Sequence, residues 1–159
     1  MKKFYICRHC GNQIEMVHDA KVPVFCCGQK MEALVPNTVE ASNEKHIPVV
    51  NVEGSKVIVN VGSVNHPMVA EHYIEWVYVE TEKGGYRKDL RPDSEPHVEF
   101  ELGEDKAVAV YAYCNLHGLW MTSLYWKIWN GAALAAPFFA SLAEGELEFH
   151  RSFTSGLQK

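Results

Sequence analysis

No cluster of lysine or arginine interrupts this sequence, and its formal net charge is -5. Phosphate backbones reward a basic face, so the charge speaks against a nucleic-acid partner. The same acidity repels anions at long range, so an anionic substrate would need a local positive focus. Internal repeats and low-complexity tracts are absent, and with 47% hydrophobic against 22% charged residues the chain is too apolar to be disordered. The start, Met1-Lys2-Lys3-Phe4-Tyr5-Ile6, runs straight into Cys7 and Arg8 without the apolar stretch of a secretory signal, so a cytoplasmic location is expected. Cysteine is sparse and odd in number, five in all, which reads as metal ligation instead of a disulfide framework.

What is present divides unevenly. The first 30 or so residues hold four of the cysteines and the turn formers Gly11-Asn12 and Gly28-Gln29. Below about 40 residues a fold usually needs a staple, which a metal on four cysteines would supply. Met31 to Lys45 reads as a linker broken at Pro36-Asn37. From His46 to about Tyr113 the chain reads as successive strands, Val49–Val52, Lys56–Val61, Tyr73–Glu80, Val98–Leu102 and Ala107–Tyr113, with turns at Glu53-Gly54, Lys83-Gly84-Gly85 and Arg91-Pro92-Asp93. Val57, Val59 and Val61 alternate with Ile58 and Asn60, and Val98, Phe100 and Leu102 with Glu99 and Glu101, which predicts an antiparallel sandwich or barrel.

Leu119 to Ala143 is nearly all apolar and long enough to span a membrane. Lys127 and Asn130 would be costly in lipid and Gly131 with Pro137 breaks a helix, so a packed or oligomer-facing segment is the favoured reading. The expected divisions are a metal module over 1–36, a β domain over 37–122 and an extension of unassigned role over 123–159.

Cys7 and Cys10 form a CxxC knuckle, and the adjacent pair Cys26-Cys27 follows after a 15-residue spacer. Four thiolates suit tetrahedral zinc or a single iron. A structural zinc ribbon normally repeats CxxC, whereas an adjacent pair distorts the tetrahedron. His9 lies inside the knuckle of an already complete site and reads as a surface residue. Farther on, Cys114-Asn115-Leu116-His117 places a thiol and an imidazole three positions apart after a strand, within reach of one metal. Turn residues flank His46-Ile47-Pro48 and His66-Pro67, and fix the backbone there. Imidazoles joined by one thiolate suit redox-active iron.

The N-terminal cysteines resemble those of desulforedoxin. The runs Glu44 to Val49, Gly62 to Met68, Glu71 to Trp76 and Cys114 to Trp120 resemble the signature segments of desulfoferrodoxin, in that family's order over residues 1 to about 120. The resemblance implies an all-β chain, a small desulforedoxin-like (rubredoxin-type) metal module followed by an immunoglobulin-like antiparallel β-sandwich. It implies two mononuclear irons, one on Cys7, Cys10, Cys26 and Cys27. The other is held by equatorial His46, His66, His72 and His117 with Cys114 axial and the sixth position open. The implied activity is superoxide reductase, the one-electron reduction of superoxide to hydrogen peroxide with no oxygen evolved. Lys45 would attract superoxide and steer protonation through water, and Glu44 would close the resting site. A rubredoxin-like electron donor and a homodimer follow from the same resemblance. A superoxide dismutase and a non-catalytic iron electron carrier are the rival readings. The four-cysteine iron is left open between an electron relay and a staple. His18, His97 and His150 match no family ligand, while Tyr73 and Trp76 are expected in the core or the site wall. The family ends soon after the His-Gly-Leu-Trp segment, whereas this chain runs on for 39 residues beyond Trp120.

Overall fold

The computed structural model describes residues 1–124. A three-stranded antiparallel sheet comes first, built from β1 (Phe4–Ile6), β2 (Gln13–Glu15) and β5 (Glu32–Leu34) in the order β2-β1-β5. The short hairpin of β3 (Phe25–Cys26) and β4 (Gln29–Lys30) lies between β2 and β5 in the chain. A single helical turn, α1 (Asn43–His46), leads into the larger unit. There β6 (Pro48–Glu53), β7 (Lys56–Val61) and β10 (His97–Glu101) form one sheet, ordered β10-β7-β6. The strands β8 (Ile74–Thr81), β9 (Gly85–Asp89), β11 (Ala107–Cys114) and β12 (Gly118–Ser123) form the other, ordered β12-β11-β8-β9. Every pairing is antiparallel, and the expected small module followed by an immunoglobulin-like sandwich is the architecture the chain adopts.

The alternation read from the sequence sets the inner faces. Val57, Val59 and Val61 of β7 and Val98 and Phe100 of β10 are buried, and they meet Val77 and Val79 of β8 and Val110, Ala112 and Cys114 of β11 in one core. The alternate positions on the opposite face of β8 and β11 are buried as well. Trp76, Tyr78, Ala109, Tyr111 and Tyr113 point outward from the sandwich, yet Phe4, Ile6 and Leu34 of the small module cover them. This double burial explains why β11 and the middle of β8, from Trp76 to Val79, carry no charged residue, since a sheet covered on both faces needs apolar residues at every register.

Polar groups at this seam are paired as well. The Trp76 indole donates to Gln13 Oε1 at 2.8 Å, Gln13 Nε2 donates to Glu75 at 3.0 Å, and the Tyr78 hydroxyl donates to Glu15 at 2.9 Å. Phe4 stands edge-on to Tyr78 and Tyr111, with ring centroids 5.4 Å away in each case, a favoured aromatic geometry.

The structure departs from the sequence reading at four elements. Residues 31 to 45 are not simply a linker, because β5 pairs with β1 and α1 closes the segment. β9 is a strand although all five of its residues are exposed, so no burial alternation betrays it; it is the edge partner of β8. β12 extends the sheet through Trp120, where apolar character on both sides hides the period. No helix among the described residues is long and apolar enough to cross a membrane. The apolar run expected to pack or to face an oligomer lies, from residue 125 onward, outside the described residues, as does His150.

Candidate metal centres

The four cysteines of the small module converge, with sulfurs all within 4.8 Å of one another. Two tight turns deliver them. At the knuckle, the Cys7 N–H donates to the Asn12 carbonyl at 2.8 Å and the Gly11 N–H to the Cys7 carbonyl at 2.8 Å. In the β3–β4 hairpin, Cys27 (φ 52°) and Gly28 (φ 74°) are both left-handed, the requirement of a two-residue type I′ turn. The backbone conformation of Cys27 lets two consecutive cysteines face one point. Cys26 Sγ then lies 3.6 Å from Cys10 Sγ and 3.9 Å from Cys27 Sγ.

Backbone N–H groups of Cys10 and then His9 aim at Cys7 and bring its thiol down to about 6. The neighbouring Cys10 pushes Cys27 up to about 12. Cys7 thus ionises more readily while Cys26 and Cys27 resist a further negative charge, which a cation at the centre of the four would relieve. His9 is exposed, as expected.

The second centre gathers His46, His66, His72, Cys114 and His117, whose donor atoms also lie within 4.8 Å of one another. His46 ends α1, His66 precedes and His72 closes the Val69–His72 bridge ahead of β8, Cys114 ends β11, and His117 sits in the turn to β12. His46 Nδ1 lies 2.8 Å from the Ser42 carbonyl and His66 Nδ1 lies 2.6 Å from the Pro67 carbonyl. Each of those nitrogens must carry the proton, so the Nε2 lone pairs of His46 and His66 point inward. His117 turns the other way round, with Nδ1 2.9 Å from His46 Nε2 and 3.6 Å from Cys114 Sγ. Adjacent donors on an ion with bonds of about 2.1 Å would sit about 3 Å apart.

Two further observations fit a metal. His66 Nε2 and His72 Nε2 are buried with no hydrogen-bond partner among the described residues, a costly state unless something else occupies their lone pairs. Burial also lowers His46, His66 and His72, disfavouring their charged forms, with His66 down at about 4. Burial pushes the Cys114 thiol up, opposed by the N–H groups of His117 and Leu116 aimed at its sulfur. Neutral imidazoles around a buried thiol that needs a positive neighbour to ionise are a ligand set for a divalent ion.

The lowered His66 value predicts how the metal-free chain responds to acid. Folding drops this group from the usual 6.5 to about 4, so the unfolded chain binds the proton more tightly. The stabilisation is complete above about pH 6.5 and is lost as pH falls toward about 4. The urea midpoint of metal-free protein is therefore expected to fall between about pH 7.5 and about pH 5; an unchanged midpoint would contradict the burial argument.

Glu44 and Lys45 stand exposed on α1 directly before His46, with no ion pair to either among the described residues. Their backbone is tightly seated. The Glu44 carbonyl accepts from the Val64 N–H at 2.9 Å and the Ser63 hydroxyl at 3.2 Å, while the Gly62 N–H donates to the Ile47 carbonyl at 3.2 Å. Gly62 has φ 86°, and a Cβ there would meet the Val64 carbonyl and the Lys45 carbonyl group.

Of the histidines set aside, His97 faces Asn60 at 2.8 Å, away from the cluster, and His18 is exposed. Trp76 belongs to the seam, stacked on Tyr113 at 5.5 Å and 9°, and Tyr73 packs against the sandwich core. Sequence reasoning assigned no role to Trp120, which is buried, stacks on His46 at 4.8 Å and 25°, and donates from its indole to the His117 carbonyl at 3.1 Å.

Fold and site together define an all-β protein with two candidate metal centres, one of four cysteines and one of four histidines and a cysteine. The profile of the desulfoferrodoxin family matches residues 38–123. A desulfoferrodoxin homolog from Archaeoglobus fulgidus is 47% identical over 118 residues, 74% of this chain and 94% of that protein. The desulfoferrodoxin of Nitratidesulfovibrio vulgaris is 41% identical over 118 residues, 74% of this chain and 93% of its own length. The crystal structure of the superoxide reductase from Treponema pallidum superposes with a TM-score of 0.66 at 41% identity, covering 77% of this chain and 99% of that one. This chain belongs to the desulfoferrodoxin family.

Proposed function

We propose that the chain is a superoxide reductase, which consumes one superoxide, one electron and two protons for each hydrogen peroxide formed. The observation that carries this reading is the convergence of four imidazoles and the Cys114 sulfur within 4.8 Å, with two inward nitrogens left unpartnered among the described residues. Membership of a family whose structural relative is a superoxide reductase supports it. Iron held by Nε2 of His46, His66 and His72, Nδ1 of His117 and Sγ of Cys114 would supply the electron and, with five donors on an ion that accepts six, a position for the substrate.

The protein's own groups do the rest. Cys114, fully buried, is the electron-rich donor, and the N–H groups of His117 and Leu116 keep its thiolate accessible despite that burial. Lys45 provides the positive focus that a chain of net charge -5 needs to draw an anion, and it steers protons through water to the product. Glu44, its neighbour on α1, closes the resting site. Cys7, Cys10, Cys26 and Cys27 would hold a second iron, whose chemistry there would be that of a staple or of an electron relay. Units of 1–36, 37–122 and 123–159, a rubredoxin-like donor, a homodimer and a cytoplasmic location complete the proposal.

The test is peroxide yield from iron-loaded protein with excess reductant under anaerobic conditions. One peroxide per superoxide supports the proposal. One for every two, with oxygen evolved, makes the protein a dismutase, and no acceleration makes it an electron carrier. In the same assay Lys45→Ala is expected to slow the reaction with superoxide roughly 10-fold or more and to flatten its dependence on salt, while Lys45→Arg retains most of both. An unaltered rate in Lys45→Ala would remove the steering role.

A further inference from the structure

Two of the four histidines at the five-donor centre are oriented through their own rings, and a third, His117, is seated through its backbone. His46 and His66 are held by their own Nδ1 contacts to Ser42 and Pro67, and the His117 carbonyl is held by the Trp120 indole. His72 has no ring-nitrogen partner among the described residues, although its Nε2 is buried in the cluster. Metal-binding imidazoles usually donate their second nitrogen to a partner that fixes the ring. Something else must therefore place His72.

The side chain of Asn115 grips the peptide groups on both sides of it. Asn115 Nδ2 donates to the Glu71 carbonyl at 3.1 Å, and Asn115 Oδ1 accepts the Tyr73 N–H at 2.9 Å. The Asn115 N–H adds a third bond, to the Tyr73 carbonyl at 3.2 Å. The reciprocal bonds between Val69 and His72, 2.9 and 3.1 Å, tie His72 only within its own loop. Asn115 ties that loop to the turn carrying Cys114 and His117. The two side-chain partners have opposite polarity, one an acceptor and one a donor, so only a primary amide of this length serves both.

We propose that Asn115 is the positioning residue for His72, pinning the Glu71 and Tyr73 peptide groups so that the imidazole is presented to the other four donors without a hydrogen bond of its own. The inference rests on the reading that these five donors hold a metal. It assigns Asn115 no contact with substrate.

Cobalt(II) is the probe, bound to the full metal-free chain and competed with a chelator. Thiolate-to-cobalt absorption that disappears in Cys114→Ser reports the five-donor centre alone. Asn115→Ala is expected to weaken cobalt there by roughly 10- to 100-fold, with the four-cysteine absorption unchanged. Asn115→Asp has the same shape but no donor for Glu71, so it is expected to weaken binding too, whereas a merely space-filling role would leave it intact. In a His72→Ala background, Asn115→Ala should change the affinity by less than about two-fold, because no ring remains to be placed. Unchanged affinity in Asn115→Ala, or the full loss repeated without His72, overturns the inference while leaving the metal centre standing. Absence of any Cys114-dependent absorption in the unsubstituted protein overturns both.

Discussion

Cys114→Ser is expected to abolish peroxide formation from superoxide and to leave one tightly bound metal per chain in place of two. The side chain is fully buried in the sandwich core, and Cys114 pairs across the sheet with Ile74. A serine hydroxyl stays protonated at neutral pH, so it cannot replace the anionic donor, and four neutral imidazoles remain with no charge of opposite sign. Loss of an outer-shell partner typically costs 10- to 100-fold, and loss of the sole anionic ligand should exceed about 100-fold in rate. The four-cysteine centre shares no residue with this one and should keep its metal. Metal content per chain and superoxide consumption check the result together. A variant that retains both metals and its rate would show that the sulfur is not a ligand.

Gly62→Ala is expected to be the most damaging single methyl near the site. At φ 86° the left-handed backbone alone costs a side chain roughly 1–3 kcal/mol. The added Cβ would also press on the Val64 carbonyl and sit 2.7 Å from the carbonyl carbon and oxygen of Lys45. Those are backbone atoms, which cannot swing aside as a flexible side chain would. The relief is for α1 to move, carrying Lys45 and His46 with it. A lowered urea midpoint and a loss of metal affinity at the five-donor centre are therefore expected together. A wild-type midpoint would mean that the loop after β7 does not seat α1 as described.

These two positions mark how far the sequence could be read. The CxxC knuckle and the Cys26-Cys27 pair are local, so their spacing alone pointed to a metal, and the alternation through β7 and β10 identified the inner face of one sheet. The five-donor centre is assembled from residues up to 71 positions apart, as His46 and His117 show; spacing grouped only Cys114 with His117, and the resemblance of whole segments to a family supplied the other three. Gly62, Asn115 and Trp120 were silent for the same reason. Their roles depend on Lys45, Glu71, Tyr73 and His46, which meet them only after the sheets have paired. β9 escaped because an exposed edge strand needs no hydrophobic period.

The aromatic seam bears on any attempt to divide this molecule. Trp76, Tyr78, Tyr111 and Tyr113 form the outer face of the four-stranded sheet, and Phe4, Ile6 and Leu34 are what keep water from it. A sandwich separated from the first three dozen residues would present a contiguous aromatic surface of the kind that draws proteins into aggregates. The small module is thus a solubility shield for the sandwich, and opening of that module threatens the sandwich through its surface before it reaches the core.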